Sequence, residues 1–83
     1  MPKIAYSKAA LKYLMGLPAR QRQRIVAAVA NLAEGRRADV RPLAGRPGHH
    51  RLRVGGFRVI WKWSEDGTRL EILAVGPRGG IYR

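Results

Sequence analysis

The segment Arg51-Leu52-Arg53-Val54-Gly55-Gly56-Phe57-Arg58-Val59-Ile60-Trp61-Lys62-Trp63 decides the reading of this chain. Apolar side chains recur at every second position through Leu52, Val54, Phe57, Val59, Trp61 and Trp63, the period of strands with one buried face. Gly55-Gly56 interrupts the run with a dipeptide suited to a two-residue hairpin turn, and such a turn fixes a register. Val54 then faces Phe57, Arg53 faces Arg58, Leu52 faces Val59 and Arg51 faces Ile60. Because side chains alternate between faces, Leu52, Val54, Phe57, Val59 and Trp61 share the core side. Arg51, Arg53 and Arg58 gather on the opposite side.

Alternation resumes at Leu70, Ile72 and Ala74 beyond Asp66-Gly67, a second two-residue turn signal, so three consecutive antiparallel strands are expected. Carrying the register through that turn sets Trp63 beside Leu70, Trp61 beside Ile72, Lys62 beside Glu71 and Arg58 beside Val75. Lys62 and Glu71 make the opposite-charge pair that a ladder favours. Arg53 against Arg58 does the reverse, at a cost of a few tenths of a kcal/mol or more. A local conflict of this kind marks a functional position, because an anion bridging two guanidiniums removes their repulsion. Ordinary solvated strand charge is the plainer alternative.

Upstream, Ile4 to Tyr6 reads as a short strand and Ser7 as the N-cap of a helix carrying Ala10, Leu11, Leu14 and Met15. Gly16 ends that helix. Pro18 suits the first turn of a second, in which Ile25, Ala28, Val29 and Leu32 fall on one stripe while Arg20, Arg22, Arg24 and Asn31 stay outside, and Gly35 stops it. Two helices so closely joined are expected to form a helical hairpin. The stretch from Gly35 to Gly48 has no period and reads as a basic loop bearing Arg36, Arg37 and Arg46. The expected fold class is α+β: a short N-terminal strand, a helical hairpin, then a three-stranded antiparallel meander.

The 83 residues allow one compact domain, taken as residues 1–83, and no repeat or low-complexity tract interrupts it. Seventeen Lys and Arg against five Asp and Glu give a net charge of +12, which points to a polyanionic partner. Thirteen of the seventeen are Arg, whose planar fork binds phosphate bidentately and stacks on bases, so RNA is the expected polyanion. With no Cys there is no disulfide, thiolate zinc site or Cys nucleophile. The N-terminus lacks a signal-type apolar run and nothing approaches the ~20 apolar residues of a membrane span, so the expected location is the cytoplasm, away from membranes.

Two motifs, His50-Arg51-Leu52-Arg53-Val54-Gly55-Gly56-Phe57-Arg58-Val59-Ile60-Trp61 and Val75-Gly76-Pro77-Arg78-Gly79-Gly80-Ile81-Tyr82-Arg83, together resemble the RelE/ParE superfamily of bacterial toxins. The resemblance covers nearly the whole chain, since the order of elements is that family's too. It implies the toxin half of a type II toxin–antitoxin pair and, for RelE-like members, an endoribonuclease that cuts messenger RNA in the ribosomal A site. On this resemblance the basic pair falls on Arg51 and Arg53, the phosphate-binding arginine on Arg58, the second catalytic arginine on Arg78 and the C-terminal tyrosine on Tyr82. The implied partners are a cognate antitoxin, the ribosome and mRNA.

The family commonly carries Lys at one or both of the Arg51 and Arg53 positions, and Arg is effectively never deprotonated, so neither residue is a classical base. RNA cleavage without metal requires a deprotonated 2′-OH, a stabilised phosphorane and a protonated 5′-oxygen. The arginines serve the second need. Tyr82 is the first candidate for proton transfer, because surrounding positive charge favours the phenolate, and His49 is the second, since it shares the parity of Arg51 and Arg53. His49, Arg36, Arg37 and Arg46 are also candidate RNA contacts, whereas His50 points with Leu52 toward the core. Glu34, Asp39, Glu65, Asp66 and Glu71 show no metal-ligand spacing, so no metal or other cofactor is expected. Two alternatives stand beside the nuclease: a ParE-like gyrase poison, and a basic module that binds nucleic acid without chemistry.

Overall fold

Alternating and helical periods both become structure. In a computed structural model, which describes residues 2–78, the chain runs β1 (Lys3–Tyr6), α1 (Lys8–Met15), α2 (Ala19–Ala33), β2 (Val40–Pro42), β3 (His50–Val54), β4 (Phe57–Trp63) and β5 (Arg69–Pro77). The strands form one mixed sheet in the order β1-β5-β4-β3-β2, antiparallel except for the parallel β1–β5 pair. This is the expected α+β architecture with one further strand. β2 lies where the sequence read as an unstructured basic loop. Its alternation covers only three residues and ends at Pro42, too short a period to detect, and it becomes a strand by pairing with β3. A strand this short, closed by proline, makes an edge that resists further pairing.

Ser7 caps α1 as expected, its Oγ accepting from the Ala10 N–H at 3.0 Å. The same hydroxyl donates to the Leu73 carbonyl at 2.7 Å and so ties the helix start to β5. At the far end of α2, Gly35 N–H donates to Leu32 O and Arg36 N–H to Asn31 O, the paired bonds of a Schellman motif. The core stripe of α1 is narrower than expected: Ala10 and Leu14 are buried, but Leu11 and Met15 are 51% and 66% exposed. An eight-residue helix turns only one side to the sheet, and these two residues lie off it. Ile25, Val29 and Ala33 of α2 complete the helical share of the core, which meets Leu52, Val54, Val59 and Trp61 from the sheet. Both helices thus contribute to a core on one face of the sheet, and the other face carries Arg51, Arg53 and Arg58 with Ile60 buried opposite Arg51.

The β3–β4 register is as expected, from Val54 opposite Phe57 to Arg51 opposite Ile60. Gly55 takes φ +57°, the positive value demanded at the first central position of a type II′ turn. His50 does face the core side, stacked on Trp61 with ring centroids 4.6 Å apart. Two details of β4–β5 differ. The connection is a four-residue loop, not a two-residue turn: Ser64 N–H donates to Arg69 O, and a tighter turn inside it closes through Gly67 N–H to Ser64 O. The Asp66 carboxylate accepts from Ser64 Oγ, Thr68 N–H and Thr68 Oγ1, bonds that a two-residue turn would forgo. Trp63–Leu70, Lys62–Glu71 and Trp61–Ile72 still pair as expected.

The second difference decides the site. The register shifts between Ile60 and Trp61, where Leu73 on β5 is an extra residue, so Val59 pairs with Val75 and Arg58 with Gly76 rather than with Val75. Without the bulge Val75 would stand on the arginine face and Ala74 would replace it in the core. The bulge buries Val75 and puts a residue without a side chain next to Arg58.

Candidate functional site

The face of the sheet away from the core carries a cavity of about 100 Å³ lined by Asp39, Arg41, Arg51, Arg53, Arg58 and Arg78. Strand periodicity accounts for most of this wall. Arg51 and Arg53 on β3 and Arg58 on β4 project from alternate positions, as the hairpin register requires. Arg41 enters from β2 directly opposite Arg51. Asp39 precedes β2, and its carbonyl accepts from Arg53 N–H at 2.9 Å, which extends the ladder one step and gives Asp39 the parity of Arg41. Arg78 follows β5, where its N–H donates to Gly56 O at 2.9 Å and holds it at the tip of the β3–β4 hairpin.

The electrostatics of this wall are unbalanced. Two like-charge pairs are directly opposed across ladders, Arg53 with Arg58 and Arg41 with Arg51. The ion pairs among the described residues, Arg36–Glu34, Lys62–Glu71 and Arg69–Glu71, all lie elsewhere. Arg51 and Arg58 are half-buried while Arg41, Arg53 and Arg78 are exposed, so the cluster is open to a ligand on one side. Five guanidiniums converge on one small cavity, an arrangement whose donors match the chemistry of a multiply charged oxyanion.

Arg51, Arg53, Arg58 and Arg78 are therefore brought together as the sequence suggested. Tyr82 lies outside the described residues. The remaining candidates do not line the cavity. Arg36 and Arg37 sit in the exposed connection after α2, with Arg36 3.8 Å from Glu34. Arg46 lies in the exposed turn between β2 and β3, its carbonyl accepting from His49 N–H at 3.0 Å. His49 precedes β3 with its Nδ1 3.3 Å from Pro47 O. Asp39 and Arg41 are the residues that sequence reasoning missed at this site. Their only signal was the three-residue alternation Asp39-Val40-Arg41, with Val40 directed to the core. Among the described residues, no group of three His, Cys, Asp or Glu side chains comes together as a metal site requires. No described helix is long and apolar enough to cross a membrane.

Comparison with known proteins locates this arrangement. No protein-family model and no curated protein matches the sequence. Solved structures do. The chain superposes on the archaeal RelE–RelB complex of Pyrococcus horikoshii with a TM-score of 0.76 at 26% identity, over 94% of this chain and 96% of that one. The RelB–RelE type toxin–antitoxin complex of Mycobacterium tuberculosis gives 0.65 at 28% identity, over 94% of this chain and 100% of that one. A YoeB/ParE toxin from Agrobacterium tumefaciens gives 0.76 at 19% identity, over 92% and 98%, a likeness of fold alone. The resemblance read from the two sequence motifs is borne out in three dimensions: the fold is that of RelE-like toxins of toxin–antitoxin pairs.

Proposed function

We propose, taking the RelE-like fold as premise, that this chain is a type II toxin whose arginine cavity holds the scissile phosphate of messenger RNA and cleaves it on the ribosome. The carrying observation is the cavity itself, with five guanidiniums and no ion pair to any of them among the described residues. A free protein that holds like charges directly opposed forgoes stability, and a bound phosphate restores it.

In this reading the 2′-oxygen attacks the adjacent phosphorus and Arg51, Arg53, Arg58 and Arg78 stabilise the charge that builds on the pentavalent phosphorane. Tyr82 is assigned to the proton transfers, and Arg36, Arg37, Arg46 and His49, spread outside the cavity, are assigned to flanking RNA. The ribosome supplies alignment that an 83-residue scaffold cannot supply alone. The cognate antitoxin is expected to cover the cavity with an acidic segment, a partner supported by the toxin–antitoxin complexes that share the fold and by charge complementarity.

The test is incubation of the purified protein with translating ribosomes and mapping of messenger 5′ ends. New ends within the coding sequence support the assignment, and intact message refutes it. Arg58→Ala, Arg78→Ala and Tyr82→Ala should each slow cleavage by roughly 10²–10³-fold, the usual cost of one transition-state donor. The likeness to a YoeB/ParE toxin keeps a second reading in view, a gyrase poison, which predicts double-strand DNA breaks with message intact.

A further inference from the structure

The cavity wall contains one residue that cannot act as the others do. Arginine is permanently protonated, so five of the six lining residues can donate hydrogen bonds and stabilise charge but cannot take a proton. The sixth is Asp39. We infer that the Asp39 carboxylate is the general base that removes the 2′-OH proton when RNA occupies the cavity. This inference rests on the nuclease reading and moves the first proton transfer of that reading, removal of the 2′-OH proton, from Tyr82 to Asp39.

Three features support it. Asp39 is placed by the backbone rather than by chance of side-chain drift: its carbonyl is bonded to Arg53 N–H at 2.9 Å, opposite Arg53 and in phase with Arg41. It lines the same cavity as the five arginines, which sets a carboxylate beside the space that the nucleotide would occupy. It forms no ion pair or side-chain hydrogen bond among the described residues, although five arginines surround the cavity. A carboxylate whose role was to neutralise that cluster would be paired with it. His49, the other proton acceptor on this side of the sequence pattern, does not line the cavity and lies against Pro47 O.

The step balances within these groups. Asp39 takes the proton from the 2′-OH, O2′ forms a bond to phosphorus, and the P–O5′ bond breaks with its electron pair passing to O5′. Water protonates O5′, leaving a 2′,3′-cyclic phosphate and a free 5′-hydroxyl, and Asp39 returns its proton to solvent. A carboxylate is a weak base toward a hydroxyl, and the arginines make the step feasible by stabilising the negative charge as the proton leaves.

The experiment compares full-length wild type with Asp39→Asn, Asp39→Glu and Asp39→Ala in the ribosome cleavage assay. Thermal unfolding is measured in parallel to establish that each variant is folded. Asp39 is exposed and Asn is isosteric, so D39N should fold. Loss of a general base predicts a kcat lower by roughly 10²–10⁴-fold with KM nearly unchanged. D39E should recover part of the rate, and sodium formate should restore part of the D39A rate where sodium chloride at the same ionic strength does not. A purely structural role would not give rescue by a small base. D39N cleaving at the wild-type rate, or binding more tightly with activity intact, would overturn the inference and leave Asp39 a simple counter-charge. Absence of cleavage by wild type itself would instead remove the nuclease reading, and the base with it.

Discussion

Arg53→Thr separates the stability of the free protein from its affinity for RNA. Arg53 is exposed, makes no ion pair among the described residues and stands directly opposite Arg58. Directly opposed like charges cost about 0.2–1 kcal/mol, so the gain on removing Arg53 is about 0.5 kcal/mol. Threonine suits an exposed strand position and adds no new repulsion. For a chain of this size that gain corresponds to a rise of about 2–4 °C in Tm. The rise should vanish near 1 M salt, where the screening length falls to about 3 Å. Affinity moves the other way: one lost charge-assisted hydrogen bond to phosphate is worth about 1.5–3 kcal/mol, or roughly 10–150-fold in Kd. Circular dichroism melts at low and high salt, with fluorescence anisotropy on a short single-stranded RNA at fixed salt, measure both. A Tm that falls, or an affinity that stays at the wild-type value, would refute the claim that the arginines are strained against each other in order to hold an anion.

Three further outcomes follow from the fold. Ser7→Ala removes both the cap to Ala10 N–H and the bond to Leu73 O, and should lower stability by about 2 kcal/mol in urea unfolding; a loss below half of that would mean the hydroxyl does not hold the bulge. Gly55→Ala places a side chain at φ +57° and within 3.1–3.2 Å of the Arg24 guanidinium, for a loss of about 1–2 kcal/mol, and wild-type stability would contradict the turn geometry. On the acid side, hydrogen bonds from Ser64 and Thr68 hold the Asp66 carboxyl at about 2, below its ordinary 3.8, and the Arg69 hydrogen bond lowers Glu71 too. The unfolded chain therefore takes up these protons first, so the stabilisation is present above about pH 4 and is lost as pH falls toward about 2. Asp66→Asn should flatten the pH dependence of the urea midpoint across that window, and identical acid slopes would disprove the assignment.

Much of the site was legible because strand period and hairpin register are local properties. A two-residue turn at Gly55-Gly56 fixes which residues face each other, and alternation then sorts Leu52, Val54 and Val59 from Arg51, Arg53 and Arg58 with no knowledge of the rest of the molecule. Asp39 and Arg41 were not legible. Their strand has too few residues to show a period, and it exists only because β3 offers it a ladder. Asp39 was visible in the sequence as one of five scattered acids, and nothing local distinguished it from Glu65.

The sequence by itself determined the α+β order, the first hairpin, the excess of arginine and the face on which three of those arginines lie. Tertiary structure decided how the cavity closes. The bulge at Leu73 answers a conflict between two requirements, the pairing set by the Ser64–Arg69 loop at one end and the burial of Val75 beside Val59 at the other. It is held by a hydroxyl 66 positions away in sequence, from Ser7 to Leu73 O. One residue of slip moves Val75 off the arginine face and Gly76 onto it, and the period of two makes every such slip an exchange of faces. No local pattern encodes that choice, because its energy lies in packing between strands and helices that meet only when the whole sheet has formed.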